Sequence, residues 1–422
     1  APWGVGRAAR PEAPAACIGC VDAPRQLAAS SVWAHLAERR RVAPVEPERS
    51  CGTARVRAPR LVGGSAPLAA PIRLQLPARG ALAHLAVEPQ SAAAAAGEAA
   101  GEAEVQVRVL AVGPNSRDVL NVLGQYPGDP GPPGGDCAGA VAAVGGSVLH
   151  LAPGDGHALG FAHAPLASVA RAYAPLLARA AAALRVEEAS TLPTVWSTVH
   201  VALDGVGLVG ARRLLAHAAA GGVGLATIEA ARWLRAPVAA TAGVPRKHAQ
   251  LRASVDVRHS ESSRDAAAFG CGAVRRPLGG RLHGTLNSLS LDFISASLAL
   301  TAEGGALAEI GKVGVWSAAR QRAAAGAVAC RTVALDADMA RSPPWMRRLL
   351  ALLSWRAESR AARGLPHQSF DLVRGHEAAL RSLLAGTNAG KIVLRTEQPR
   401  GRPPRAAGAQ LLTGGTGGLG LL

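Results

Sequence analysis

The chain has 422 residues, of which 49% are hydrophobic, 18% charged and 3% aromatic, and a formal net charge of +17. At roughly 150 residues per domain that length holds two or three domains; the apolar content excludes a disordered chain, and six cysteines are too few for a disulfide scaffold. No uncharged apolar run reaches about 18 residues, so no membrane partner is expected, and the Arg-dominated charge is scattered through Ala/Gly-rich sequence, with lysine only at Lys247, Lys312 and Lys391, so neither is a nucleic-acid partner.

The chain opens Ala1-Pro2-Trp3, without Met or an apolar leader, and is expected to be a piece of a longer polypeptide or a processed one. Residues 1–58 are Pro-, Arg- and Ala-rich and read as an upstream linker or partial domain. Cys17 and Cys20 form a lone CxxC, and with no second pair they read as incidental thiols rather than a zinc site. From 59 the pattern tightens. Alternation predicts strands at 72–77 and 104–110, separated by a low-complexity Ala/Gly loop at 90–103, and dense Gly/Pro punctuation over 126–141 excludes a long helix. Short strands joined by such turns predict a compact β-barrel-like unit to about 185.

The rhythm then changes to alternating strands and helices. A helix is expected over 191–203, a buried strand at 214–218, a helix at 224–234 and a strand at 238–241. A strand end at 284–287, a helix at 293–300 and a strand at 306–310 follow. This alternation predicts a parallel sheet covered on both faces. A helical stretch at 345–353 and a hairpin-like pair at 370–372 and 390–394 complete the folded part, before a Pro/Arg/Gly linker at 396–408.

Within this second half, an apolar strand runs into Ala218-Ala-Ala-Gly-Gly-Val-Gly224 and then into a helix. This is a relaxed GxGxxG with Ala219, Gly221 and Gly224 at its three key positions and Gly222 and Val223 between the last two. Gly221 would let the backbone approach a pyrophosphate, Gly224 would let the helix pack on the sheet, and the helix N-terminus would supply N–H donors. At the end of the next strand there is no acid to bond a ribose 2′-hydroxyl. Arg246 and Lys247 follow instead, which points to NADPH rather than NADH.

Several blocks in order resemble the enoylreductase domain of polyketide synthases and animal-type fatty acid synthases, within the medium-chain dehydrogenase/reductase superfamily. They are PRL (59–61), RLQLPARGAL (73–82), NSRDVLNVLGQYPGD (115–129), GGDCAGAVAAVG (134–145), LPTVWSTVHVAL (192–203), HAAAGGVG (217–224), SSRD (262–265), LNSL (286–289), EIGK (309–312) and AGKIVL (389–394). TGGTGGLG (413–420) resembles the opening of a ketoreductase domain. The resemblance implies an α/β protein: a GroES-like β-barrel catalytic domain (59–187, completed by 329–396) plus a Rossmann doubly wound parallel sheet (188–328). Residues 397–422 would be a linker and the truncated start of the ketoreductase.

The same resemblance implies reduction of an α,β-unsaturated thioester, held on an acyl carrier protein, by NADPH without a catalytic metal. It also implies a cytoplasmic setting, adjoining synthase domains as partners and compatibility with a homodimer of the full synthase. Hydride addition leaves an enolate that needs a proton; Lys312, at a strand's carboxyl end, is the candidate donor, with Asp336 as its partner and Asp338 as the alternative. Asn287 and Ser288 would contact the nicotinamide side, Arg264 would help Lys247 hold the 2′-phosphate, and Thr198 would line the pocket. Asn115, Arg117, Asp118 and Tyr126 would shape the substrate mouth. Ser116 stands where the family has Phe, and Asp136 where it has Glu. A free-standing quinone-oxidoreductase-like enzyme, an inactive structural copy and a basic binding module are the competing readings.

Overall fold

The computed structural model describes residues 71–91, 101–205, 207 and 212–396, apart from 256, 258–259, 272–280, 291 and 313, together with three short strands before residue 58. The first of these, β1 (Val21–Asp22), runs parallel to β2 (Glu48–Ser50), which pairs antiparallel with β3 (Val56–Arg57). The remainder of 1–67 and all of 400–422, with the Cys17/Cys20 motif, PRL and the ketoreductase-like end, lie outside the described residues.

The unit from 68 to 399 is built on two large sheets. Its first pair, β4 (Ile72–Gln75) and β5 (Ala86–Pro89), is a small antiparallel ribbon. The first large sheet centres on β6 (Glu104–Val112), whose inward valines Val105, Val107 and Val109 are fully buried. Around it lie β7 (Asp136–Val144), β8 (His157–Phe161), β9 (Val169–Tyr173) and β10 (Leu177–Arg179). Two short helices interrupt it: α1 (Ser116–Val122) after β6, and α2 (Val186–Ser190) after β10. The chain returns to this sheet much later. The last strand, β18 (Lys391–Arg395), pairs antiparallel with β6 and parallel with β17 (His367–Asp371). The two late segments are therefore no hairpin: α11 (Leu372–Leu384) separates them and carries the chain back to a parallel register. Asp371 caps that helix, accepting from the Val373 and Arg374 amides at 2.9 Å.

The second large sheet is wholly parallel. In chain order it has β11 (Leu214–Ala216), α4 (Gly222–Trp233), β12 (Val238–Ala242), α5 (Pro245–Val255), β13 (Ser260–Ser262), α6 (Ala266–Cys271), β14 (Leu282–Asn287), α7 (Asp292–Leu300) and β15 (Thr301–Glu309). It ends with α8 (Ala318–Ala324) and β16 (Ala329–Thr332). The spatial order β13-β12-β11-β14-β15-β16 is the doubly wound order, whose topological switch lies between β11 and β14. Because β16 belongs here, residues 329–332 are part of this sheet and not of the segment that completes the barrel. Two further helices, α9 (Leu335–Arg341) and α10 (Pro343–Glu358), follow. The helix expected over 191–203 is α3 (Pro193–Gly205). It starts two residues later than expected, because Pro193 brings no amide for an earlier turn and disfavours helical geometry at Leu192. Small residues let α4 lie close to the strands: Ala216, Ala219, Ala226 and Ala231 are fully buried beside Leu214 and Ile228.

Candidate active site

The turn after β11 is held by a chain of hydrogen bonds. His217 is buried between the edges of Phe269 and Phe293. Ser297 donates its hydroxyl to the Phe293 carbonyl at 2.6 Å, so it accepts from His217 Nε2 at 2.7 Å. Nδ1 then accepts from the Thr241 hydroxyl at 3.1 Å, and that oxygen accepts from the Ala218 amide at 3.1 Å. Burial pushes the imidazole down to about 3, in keeping with a neutral ring. The payoff is at Ala218, which holds a left-handed φ of 47° that a residue with a Cβ adopts only under constraint.

Beyond this turn, Gly221 caps α4 and faces the cleft with little but the Ala218 carbonyl nearby. At Gly224 a Cβ would collide with the Ala219 backbone, and at Gly222 it would meet Lys391 Cδ at 2.8 Å. The glycines therefore serve the two purposes read from the sequence: an open cap at the helix N-terminus and a close helix–sheet contact.

A cavity of about 310 Å³ opens over this cap. Gly221 to Gly224 and Ser288 line it at the switch point, with Lys247 from the first turn of α5 and Arg264 from just after β13. Lys247 donates to the Gly386 carbonyl at 2.7 Å; burial, and then the neighbouring Arg264 charge, lower its pKa. No carboxylate stands at Ala242 or Gly243. Arg246 does not join them: the first turn of α5 leaves it exposed, outside the residues that line the cavity. An open helix N-terminus, a glycine floor and two cations where an acid would otherwise sit fit a phosphorylated dinucleotide.

On the β14 side, Ser288 and Leu289 line the cavity, but Asn287 does not. Its side chain is fully buried and turned inward, donating to Glu309 at 2.5 Å and to the Leu289 carbonyl at 2.7 Å. Direct contact between Asn287 and a cofactor is thus not what the geometry shows. Thr198 is likewise buried within α3 and absent from the lining.

Lys312 lies three residues past β15, half-buried. Its Nζ is 3.8 Å from Asp336 Oδ1 and 3.5 Å from the Val333 carbonyl. Tyr126 donates its hydroxyl to the other Asp336 oxygen at 2.6 Å, and the Arg117 guanidinium sits 5.1 Å above the tyrosine ring. Burial raises the Asp336 pKa, but the Tyr126 bond, the Lys312 charge and the Ala337 amide outweigh it and leave the group below the usual carboxylate range. Burial, then the Asp336 bond and charge, push Tyr126 up to about 12. Asp338 pairs with Arg341 at 3.3 Å instead, so Asp336 is the partner of Lys312.

On the barrel side, Asn115 and Ser116 line the cavity, whereas Asp118 is spent on structure. Its carboxylate accepts from the Asn115 amide at 2.7 Å, capping α1, and from the Gly134 amide at 2.9 Å. Asn115 reaches into a buried cluster that sequence reasoning missed. Its Oδ1 accepts from Lys391 Nζ at 2.6 Å, and its Nδ2 donates to Asp136 at 3.1 Å. Lys391 also donates to the Gly113 and Pro114 carbonyls at 3.0 and 3.2 Å and stands 3.6 Å from Asp136, which accepts from the Thr194 amide and hydroxyl. Burial pulls the Lys391 pKa down and pushes that of Asp136 up, each opposed by the other's charge. A lysine opening the apolar strand KIVL, in a chain with only three lysines, was the available signal. Cys137, next to Asp136, is buried, and burial raises its thiol to about 12. Among the described residues, no group of three His, Cys, Asp or Glu side chains could hold a metal ion.

Comparison with known proteins places this geometry among relatives. Residues 101–164 match the family of the alcohol dehydrogenase GroES-like domain. Over 351 residues, 82% of the chain, it is 36% identical to the pikromycin polyketide synthase component PikAII of Streptomyces venezuelae, and it spans 9% of that protein's length. The crystal structure of CurK enoyl reductase superposes with a TM-score of 0.71 at 28% identity, covering 77% of this chain and 99% of that one. A mycobacterial protein solved in complex with NADPH shares the fold, with a TM-score of 0.68 at 24% identity over 77% of this chain and 100% of its own.

Proposed function

The chain is similar to polyketide synthases over most of its length and has the fold of the enoyl reductases, and from that premise we propose that it is the NADPH-dependent enoyl reductase of a multidomain polyketide synthase. Its substrate would be an α,β-unsaturated acyl thioester presented by an acyl carrier protein. One observation carries the cofactor reading: the Gly221-capped helix, Lys247 and Arg264 share one cavity, with no acid at the end of β12. We read 188–332 as the nucleotide-binding part, and 59–187 with 333–396 as the GroES-like part. Residues 1–58 would be upstream linker, and 397–422 a linker and the start of a ketoreductase.

Bound NADPH would supply a hydride to the β-carbon of the thioester. The chain's own residues divide the remaining work. The amides at the start of α4 and the Lys247 and Arg264 cations hold the phosphates. Ser288 faces the nicotinamide end. As the double bond's electrons move onto the carbonyl oxygen, Lys312 delivers a proton from Nζ to the α-carbon and recovers it from solvent. Asp336, anchored by Tyr126, aims the ammonium. No zinc takes part in this scheme.

The test is stopped-flow NADPH oxidation with a crotonyl thioester, for the wild type, Lys312→Ala and Asp336→Asn. Rapid wild-type oxidation with slow variants is expected. NADPH binding without turnover would instead identify an inactive copy, and oxidation by a quinone alone would identify a quinone reductase. If both variants keep full rate, the proton-donor assignment fails.

A further inference from the structure

The strand ends that carry Ser288 and Lys312 are tied together by one side chain that neither the glycine motif nor the lysine–aspartate pair explains. Glu309 closes β15, with 1% of its surface exposed, and its register neighbours are Asn287 on one side and Thr332 on the other. Both carboxylate oxygens accept. Oε2 takes the Asn287 amide at 2.5 Å and Oε1 takes the Gly311 backbone amide at 2.6 Å. The carboxylate lies so close over the Gly311 turn that a Cβ there would be 2.7 Å from Oε1. Backbone bonds complete the junction, from the Ile310 amide to the Asn287 carbonyl at 2.9 Å and from the Val333 amide to the Glu309 carbonyl at 2.8 Å. Val333 is also the residue whose carbonyl faces Lys312 Nζ.

We infer that Glu309 is a positioning residue for the reduction: its two-sided carboxylate locks the Asn287–Leu289 turn to the Gly311–Lys312 turn and so sets where the Lys312 ammonium stands relative to the cofactor-facing Ser288. The inference rests on the reading of Lys312 as proton donor. It follows from donor–acceptor arithmetic that an isosteric amide cannot replace this carboxylate. Glutamine offers one acceptor, so either the Gly311 amide or Asn287 Nδ2 would face an N–H. Turning Asn287 over does not help, because its Oδ1 accepts from the Leu289 amide and its Nδ2 donates to the Leu289 carbonyl. Moving the acid across the pair helps in part: with Asn287→Asp beside Glu309→Gln, the glutamine oxygen keeps Gly311 and its NH₂ donates to the new aspartate, while the Leu289 carbonyl loses the Asn287 donor.

The experiment measures crotonyl-thioester reduction by NADPH in H₂O and D₂O for the wild type, E309Q, the E309Q/N287D pair and Lys312→Ala. A displacement of the proton donor by a fraction of an ångström to an ångström should lower E309Q turnover about ten- to hundredfold. KM for NADPH should change little and the solvent isotope effect should rise, because protonation has become the slower event. The double variant should recover part of both. Wild-type turnover and isotope effect in E309Q would overturn the proposal. So would a loss of turnover with an unchanged isotope effect and no recovery in the double variant, since that is the mark of mere structural damage. If Lys312→Ala also turns over at the wild-type rate, the proton-donor reading itself has failed. If Lys312→Ala is slow while E309Q is normal, only the role of Glu309 has failed.

Discussion

Lys391 and Lys312 each face an aspartate at nearly the same distance, 3.6 and 3.8 Å, yet the two pairs sit in opposite settings. Lys391 and Asp136 have 4% and 0% of their side-chain surface exposed, and every ammonium proton has an oxygen: two carbonyls and Asn115. Lys312 and Asp336 keep 27% and 34%, and the Lys312 ammonium touches one carbonyl at the limit of bonding range. The difference teaches that donor saturation, rather than residue type or pairing, separates a lysine locked into the fold from one left part-exposed with donors to spare. A saturated ammonium cannot reach a substrate without first losing a buried partner.

The strongest way to break the comparison is Lys391→Met. It leaves Asp136 buried without its counter-charge and should cost about 3–5 kcal/mol in denaturant unfolding. Adding Asp136→Asn should return part of that loss. A change near zero would mean that the buried pair is not structural. Lys312→Ala should behave the other way round. Turnover should fall about a hundredfold or more while the unfolding midpoint stays put, which kinetics and melting on one preparation would show. At the cofactor end, Lys247→Ala removes a charge-assisted contact worth about 1.5–3 kcal/mol, so NADPH affinity should drop at least tenfold while NADH affinity barely moves. Equal losses for both nucleotides in a fluorescence titration would remove the 2′-phosphate role. An effect confined to acid belongs to His217. Its pKa is about 3 in the folded chain against an ordinary value of 6.5, so the fold disfavours its protonation. Its contribution to stability is complete above pH 6.5 and falls as the pH drops towards 3, by at most about 1.4 kcal/mol per pH unit. His217→Gln should flatten the unfolding profile across that acid window.

Much of the architecture was legible because local pattern and tertiary role agree. The apolar LLA strand, the small-residue turn and the helix after it could be read directly; the strands expected at 238–241, 284–287 and 306–310 are found at 238–242, 282–287 and 301–309, the last beginning five residues early. The pairing of β17 with β18 was not legible. A cap at Asp371 followed by Leu372, Ala379 and Leu380 on one face marks a helix, and that helix turns an expected hairpin into a parallel pair. At the site, Gly221, Gly222, Gly224, Lys247 and Arg264 come together as anticipated, and Lys312 meets Asp336. Asp118 and Asn287 were misassigned because sequence places a polar residue at the right edge but does not say whether its hydrogen bonds are already taken. Lys391 was missed because its partners Gly113 and Pro114 lie 278 and 277 residues away in the chain.

The Gly390 amide donates to the Ala220 carbonyl at 2.8 Å, and Gly390 bridges to Gly221. The floor of the nucleotide cleft is therefore finished by residues translated some 170 positions after it begins. During synthesis the parallel sheet can assemble with its phosphate-binding turn complete in sequence but open on one side, and only emergence of the final strand shuts it. Such long-range closure is slow relative to local helix formation. A nascent chain stalled before residue 390 would thus bear a half-made nucleotide pocket and leave the Ala111–Val112 end of β6 without its β18 partner, exposed to the cell's folding machinery.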